Sequence, residues 1–326
     1  MRYFLDFEKP IAELEGKIEE LRRSAAPTGI DVDADIRHLS GLIDRELRTI
    51  YEALTPWQKT LVARHPERPK AKDYVAALIT EFTPLCGDRA FGDDQAVIGG
   101  LGRLNGRSVM VLGTEKGNDT ESRVKHNFGM ARPEGYRKAR RLMQLAGRFG
   151  LPLVTFVDTP GAFPGIDAEA RGQSEAIAQS IGACLDAPVP VVVAMIGEGG
   201  SGGALPFAVG DCVLMLEHAV YSVISPEGCA AILWRDAAMA PVAAEALHLT
   251  AEDLRRLHVV DSVIGEPMGG AHRDPAAAIR AVGEMMAEVL EQLVAMDWHT
   301  VRARRQEKFL SMGNQPQPRQ VRLAAE

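Results

Sequence analysis

The sequence predicts an α/β fold preceded by a helical extension, on three observations. Runs rich in Val, Leu and Ile at 153–157 and 191–196 read as strands buried on both faces. Helical patterns over 134–149 and 171–185 alternate with them, as parallel pairing requires. Roughly the first 60 residues instead carry only amphipathic helical spacing.

In chain order, Ile11, Leu14, Ile18 and Leu21 make one apolar stripe, and Ile36, Leu39, Ile43, Leu47, Ile50 and Leu54 make another. They predict helices over 9–23 and 35–54, joined by a turn at 25–35 that contains Pro27 and Gly29. Two bare helices cannot bury both stripes between themselves. The hairpin therefore packs on its own globular body or grips another subunit. Thr55-Pro56 and the prolines of 65–69 lead into a helix predicted over 71–82. Strands follow at 96–104 and 107–112, with Asn105-Gly106 as a hairpin turn.

The polar, glycine-punctuated 113–131 reads as a loop, and 134–149 as a helix with Tyr136, Ala139, Leu142, Met143, Ala146 and Phe149 on one face. Beyond the helix at 171–185 and the strand at 191–196 come a short helix at 201–208 and strands at 212–216 and 221–224. Helices are expected at 226–234, 251–257 and 275–296, and then a frayed polar ending. The expected division is a helical hairpin and linker over 1–70, a main domain over 71–300, and a partly disordered tail over 301–326 that closes on QPQPRQVRLAAE.

With 46% hydrophobic and 25% charged residues, the chain of 326 is neither disordered nor fibrous. A net charge of -7 argues against general nucleic-acid binding. The longest apolar stretch, near 189–196, falls short of the roughly 20 residues that span a bilayer. The start, MRYFLDFEKP, has no apolar signal core, so a cytoplasmic protein away from the membrane is expected. Cys86, Cys184, Cys212 and Cys229 are scattered without a C-x-x-C pair, which predicts no disulfide framework and no metal site in this chain.

Between 101 and 150 there are 11 Lys/Arg against 4 Asp/Glu. Arg137, Lys138, Arg140 and Arg141 cluster on one helix, either as a solvated face or as an anchor for a polyanion such as the phosphates of a nucleotide-like cofactor.

Two glycine loops end the buried strands: Asp158-Thr159-Pro160-Gly161-Ala162-Phe163-Pro164-Gly165 and Gly197-Glu198-Gly199-Gly200-Ser201-Gly202-Gly203-Ala204. Ligand sites of α/β folds favour such strand ends. The second loop lacks the Lys-Ser/Thr of a phosphate loop, and both come too late for a Rossmann fingerprint. Gly199-Gly200-Ser201-Gly202-Gly203 satisfies G-x-S-x-G, so a serine nucleophile is one reading. A tight packing turn is another. The third is an oxyanion hole of main-chain N–H groups, each worth about 10²–10³ in rate.

Longer motifs decide among these. FLDFEKPIAELEGKI at 4–18, GDRAFGDD at 87–94, NFGMARPEGYRKA at 127–139, FVDTPGAFPG at 156–165, RGQSEAIA at 171–178, IGEGGSGGAL at 196–205 and YSVISPEGCAAILW at 221–234 together resemble one family. It is the alpha subunits of the bacterial multi-subunit acetyl-CoA carboxylase carboxyltransferase, within the crotonase superfamily. The similarity runs from about residue 4 to residue 304.

The resemblance implies a crotonase-like (ClpP/crotonase) ββα superhelix with the N-terminal helical extension added. It implies transfer of a carboxyl group from carboxybiotin, held on a separate biotin carboxyl carrier protein, to acetyl-CoA. The product is malonyl-CoA, for fatty acid biosynthesis. Biotin carboxylase, a separate ATP-using subunit, would load the carrier. A beta subunit, which would carry the zinc, would complete an α2β2 assembly. Gly202 and Gly203 would then offer backbone N–H groups to biotin, with Gly161, Phe163, Gly165, Gly199, Gly200 and Ser201 lining the substrate cleft. Arg137, Lys138 and Arg141 would be candidates for the CoA phosphates. The alternative is a stand-alone crotonase-type acyl-CoA hydratase or serine thioesterase.

Overall fold

A computed structural model describes residues 3–26 and 31–313. Eight strands build one mixed sheet: β1 (Ile79–Pro84), β2 (Val97–Leu104), β3 (Arg107–Thr114), β4 (Leu153–Thr159), β5 (Val191–Gly200), β6 (Cys212–Leu216), β7 (Val220–Ser222) and β8 (Ser262–Ile264). Their order is β1-β2-β3-β4-β5-β6-β8, with β7 paired to β5. β2 and β3 form the expected hairpin, and Asn105 (φ 47°) and Gly106 (φ 80°) supply its two left-handed positions. From β3 onward every pairing is parallel.

The helix Pro133–Phe149 connects β3 to β4, Gln173–Leu185 connects β4 to β5, and Ser201–Ala208 connects β5 to β6. Every residue of β4 and β5 is buried, which explains their unbroken apolar runs. β5 changes partner along its length. Residues 192–195 pair with β6, and 198–200 pair with β7.

The N-terminal helices are Lys9–Ala25 and Asp33–Tyr51; Pro27 and Gly29 of the expected turn lie outside the described residues. Near the body Ile11, Ile43, Leu47 and Tyr51 are buried with Leu5, Leu54 and Val62, while Leu21, Ile36 and Leu39 at the far end are only half-buried. Buried Glu8 joins the hairpin to the body. It accepts from Tyr51 Oη at 2.9 Å and from the Leu5 N–H at 2.9 Å, and Arg273 lies 3.6 Å away. His65 and His272 stack beside it with ring centres 3.8 Å apart.

Three sequence expectations need correction. The helix placed at 71–82 ends at Leu78, and Ile79–Pro84 is an edge strand on β2. Ile79, Thr80, Phe82 and Thr83 are β-branched or aromatic, and the open hairpin edge outweighs helical periodicity there. The loop at 113–131 holds a helix, Thr120–Lys125, started by reciprocal capping between Asp119 and Ser122. The frayed ending is a helix over Trp298–Ser311, capped by Asp297 accepting from the Thr300 N–H at 3.0 Å. The stretch QPQPRQVRLAAE lies outside the described residues. Helices Pro56–Ala63 and Ala240–Ala246 and strand β8 also escape the sequence pattern.

Arg305 explains why the last helix docks. Only 1% exposed, it donates to both Asp211 oxygens at 3.0 and 2.7 Å and to the carbonyls of Cys184, Ala187 and Val189. Arg305→Ala leaves Asp211 buried without its partner, so a loss of about 3–5 kcal/mol is expected in urea unfolding. A loss under about 1 kcal/mol, the scale of a surface pair, would show that the helix does not hold the body together.

The Glu8 cluster gives a pH prediction. Burial, with His272 beside it, pushes His65 down to about 4. Burial would raise the Glu8 carboxyl, but hydrogen bonds from His272, the Leu5 N–H and Tyr51 outweigh it and hold the group at about 2. Between the ordinary imidazole value of 6.5 and 4, the unfolded chain binds a proton at His65 that the folded chain refuses. Stability is therefore complete above that window and falls as pH drops through it. Glu8 adds its own loss from 4.5 down towards 2. The urea midpoint should decline between pH 6.5 and pH 4, and less so in His65→Phe; equal slopes would place the loss in other groups.

Candidate active site

The two glycine loops leave the sheet side by side, because Thr159 of β4 and Gly199 of β5 are register partners. Their backbones then touch. A Cβ on Gly200 would stand 2.1 Å from the Pro160 carbonyl oxygen. One on Gly203 would stand 2.3 Å from the Gly161 carbonyl carbon and 2.7 Å from the Ala162 nitrogen. A side chain at either position forces the loops apart. Gly202 differs, since a Cβ there meets nothing closer than Ile177 at 3.9 Å.

The first loop is held from behind. Thr159 Oγ1 donates to the Gly129 carbonyl at 2.7 Å and accepts from the Gly161 N–H at 3.1 Å. The Phe163 N–H donates to the Ala131 carbonyl at 3.0 Å, and Gln173 Nε2 bridges the carbonyls of Ala131 and Phe163. The Phe163 ring is clamped between the Arg132 guanidinium, 4.2 Å from its centre, and Gly165, whose added Cβ would come within 2.2 Å of the ring.

The second loop opens the helix Ser201–Ala208, with Ser201 turned through φ 48°. The first N–H groups of a helix have no partner within it. Those of Gly202 and Gly203 find none elsewhere among the described residues, nor does that of Ala162 across the gap. Beside them lies a pocket of about 320 Å³, with Leu205, Tyr221, Val223 and Leu247 in its apolar wall and Ser201, Gly202 and Ser222 at its polar end. Among the described residues the one ionisable group lining it is the Tyr221 phenol, which burial pushes up to about 12.

Charges sit beneath the loops instead. Asp158 accepts from Lys116 Nζ at 2.7 Å and from the Glu198 N–H at 2.9 Å. Glu198 accepts from Lys116 at 3.1 Å and from Arg64 Nε and Nη2 at 2.8 and 2.6 Å. Burial would raise both carboxyls, but Lys116 with Lys70 at Asp158, and Lys116 with Arg64 at Glu198, hold them low and charged. A Cβ on Gly197 would lie 2.5 Å from Asp158 Oδ1, so this network presses directly on the strand that feeds the loop.

The structure therefore joins Gly161 to Gly200 and Gly203, and it puts Ser201 and Gly202 on the pocket. Gly199 packs on Met195 and Tyr221, while Phe163 and Gly165 brace the first loop from outside the pocket. Arg137, Lys138 and Arg141 serve another task. Arg137 pairs with Asp88 and Glu134, buried Lys138 with Asp93 and the Asp94 carbonyl, and Arg141 with the carbonyls of Cys86 and Gly87. They pin the 85–94 segment, and these bonds engage most of their donors.

Ser201 has the turn of a nucleophile elbow but no base. Among the described residues its hydroxyl bonds no histidine; buried His65, His126, His218 and His272 all lie in other clusters. Glu8, His65 and His272 are close enough to hold a metal ion, yet both His65 nitrogens are engaged, by the Glu67 N–H and the Tyr3 carbonyl.

Sequence reasoning missed Arg64, Lys116, Asp158, Glu198 and the Ala162 N–H. Asp158 and Glu198 stood inside the glycine motifs, but their partners come from distant segments and left no local pattern.

The family model described as acetyl co-enzyme A carboxylase carboxyltransferase-like matches residues 4–313. The acetyl-coenzyme A carboxylase carboxyl transferase subunit alpha of Acidiphilium cryptum (strain JF-5) is 63% identical over 313 residues, covering 96% of this chain and 98% of that protein. The protein of that name from Gluconacetobacter diazotrophicus is 60% identical, with the same coverage. Among solved structures, a transcarboxylase 12S superposes with a TM-score of 0.54 at 23% identity, covering 68% of this chain and 42% of that one. This likeness is one of fold, the crotonase-like α/β architecture with its mixed sheet.

Gly202 and Gly203 should respond differently to the same change. Gly203→Ala drives a methyl group into the opposite loop, costing about 1–3 kcal/mol in thermal unfolding and about 10²–10³ in turnover as the donors lose alignment. Gly202→Ala should keep stability within about 0.5 kcal/mol. Equal stability losses at the two positions would refute the backbone contact as the cause.

Proposed function

The chain belongs to the acetyl-CoA carboxylase carboxyltransferase-like family, and we propose that its glycine loops form the biotin half of a shared carboxyl-transfer site. It is a carboxyltransferase subunit that works in a complex with other subunits. On this reading the carboxyl group comes from carboxybiotin on a biotin carboxyl carrier protein loaded by biotin carboxylase. The acceptor is acetyl-CoA, and malonyl-CoA leaves for fatty acid synthesis in the cytoplasm. No helix among the described residues is long and apolar enough to cross a membrane.

The observation that carries the reading is the pairing of unpartnered N–H groups with a pocket free of acid or base. A cavity of about 320 Å³ lined mostly by apolar side chains, with Ser201, Gly202 and Ser222 among its lining, fits a small bicyclic ring that has one polar edge. Bound there, the ureido group supplies the carboxyl and, once released from it, a basic nitrogen. The chain's own residues have three tasks. The N–H groups of Gly202, Gly203 and Ala162 are aimed where charge grows on an oxygen. Leu205, Val223 and Leu247 give the pocket an apolar wall that a partner can seal from water. The ion pairs of Asp158 and Glu198 keep the loops at a fixed separation.

The thioester half is assigned to a beta subunit, in an α2β2 assembly that would also hold the zinc. Val223 on the pocket rim is 78% exposed, and Ile232 and Leu233 nearby in sequence are 70% and 66% exposed. An apolar rim of this kind suits a permanent partner that closes the pocket. A stand-alone hydratase or serine thioesterase is not favoured: Ser201 has no base, and the family is one of carboxyltransferases.

The reverse reaction tests the reading. Malonyl-CoA and a free biotin derivative are supplied, and acetyl-CoA release is followed for the chain alone and with its copurified partner. Release should need both biotin and the partner. Ser201→Gly, which suits φ 48°, should retain most of the turnover. Thioester loss by the lone chain without biotin, abolished in Ser201→Gly, would establish hydrolysis instead.

A further inference from the structure

We propose that a second cleft, bounded by Pro160 of the first glycine loop, binds a nucleotide that carries two or more phosphates. The cleft encloses about 600 Å³ and is lined by Arg64, Lys70, Lys116 and Arg123 with the rings of Tyr3 and Phe128. No carboxylate among the described residues lines it. Arg64 and Lys116 are balanced by Asp158, Glu198 and Glu227, which lie just outside the lining. The surplus positive charge of the lining therefore rests on Lys70 and Arg123, in a chain whose net charge is -7.

Two of the four cations are poorly matched within the protein. Arg123 makes no ion pair among the described residues. Lys70, 3% exposed, has Asp158 only at 3.9 Å and the His65 carbonyl at 3.4 Å. Burial pushes Lys70 down to about 8, and Lys116, Arg68 and Arg123 add to this against the pull of Asp158. An anion in the cleft would supply what these groups lack. Phosphates are well suited, because several fixed donors can share their oxygens.

The aromatic residues narrow the ligand class. Tyr3 and Phe128 are 53% and 50% exposed, although each is large enough to be buried with profit. Phe128 is held at φ 55°, ψ 26°, directly after Asn127 at φ 46°. A bulky residue rarely adopts that left-handed conformation, and such strain concentrates at ligand sites. The turn is braced by Asn127 Nδ2 donating to the Met130 carbonyl at 2.7 Å, and Thr159 Oγ1 ties its Gly129 carbonyl to β4. Strain is thus spent on presenting a ring beside four cations. Exposed ring faces accept a flat base by stacking while the cations take the phosphates.

That chemistry has two sources, the nucleotide end of the CoA substrate or a free nucleotide acting as an effector. In the first case the proposal rests on the carboxyl-transfer reading and in the second it does not; binding is measured without turnover, so the two readings fail separately. ADP, adenosine, inorganic pyrophosphate and CoA are titrated calorimetrically into the full chain bound to its copurified partner. ADP should bind more tightly than adenosine or pyrophosphate.

Arg123→Glu should weaken ADP roughly tenfold or more. Phe128→Gly, which keeps the left-handed turn, should weaken ADP but leave pyrophosphate unchanged. Unaltered circular dichroism and melting would show that both variants are folded. If CoA displaces ADP and both variants weaken both ligands, the cleft holds the substrate's own nucleotide. If ADP binds equally with CoA saturating, it holds a free nucleotide. No saturable binding of ADP or CoA, pyrophosphate binding as tight as ADP, or affinities that neither variant changes would overturn the proposal.

Discussion

The structure depends on one close approach, that of two stretches of backbone at the ends of β4 and β5. Gly200 lies under the Pro160 carbonyl and Gly203 under the Gly161–Ala162 peptide, with no room for a methyl group between them. Side chains can repack, but crossing backbones cannot yield without moving the strands that carry them. Those strands are wholly buried and fixed in register by Thr159 and Gly199. The position of the N–H groups is therefore set by the centre of the sheet and not by the loops themselves, which suits a site whose donors must be aligned before any ligand arrives.

The buried charges serve the same end. Four ionic groups under the loops are costly to desolvate, and a buried ion pair is weak support for stability in itself. Their geometry supports positioning instead. Asp158 accepts the N–H of Glu198, and Glu198 is held in turn by Lys116 and Arg64. The residues just before both glycine loops are thereby linked to each other and to the ends of β3 and of the helix Pro56–Ala63. An apolar core could pack this region, but it would not fix the direction of two strand ends. Asp211 and Arg305 do comparable work at the opposite end of β5, where Asp211 also accepts the Val191 N–H at 2.7 Å.

Much of this was legible in the sequence where the signal is local. The hairpin at Asn105-Gly106, the buried strands and the helix Ser201–Ala208 follow from turn chemistry and periodicity over a few residues. What failed was decided elsewhere in the chain. Ile79–Pro84 is a strand because β2 offers it an edge, and 298–311 is a helix because Arg305 finds a carboxylate nearly a hundred residues away. The site divides along the same line. Its glycines were visible, since glycine density reports close backbone approach. The ion pairs beneath them were not, and of the basic run plain in the sequence Arg137, Lys138 and Arg141 hold the 85–94 segment.

The pocket's composition limits what the chain can do alone. Proton transfer needs a group whose pKa lies near the working pH. The Tyr221 phenol at about 12 does not qualify, and the carboxylates beneath the loops are locked in pairs. Ser201 shows the same limit from another side. Its left-handed turn would expose a nucleophile in a hydrolase, yet here no base stands beside it, and the turn leads into the helix whose first residues, Ser201 and Gly202, line the cavity. A site of this kind can stabilise charge but cannot create it. On the carboxyl-transfer reading the basic atom arrives with the ligand, and the acid it works upon is held by another surface. That division of labour accounts for an apolar rim left exposed beside a pocket whose interior is already arranged.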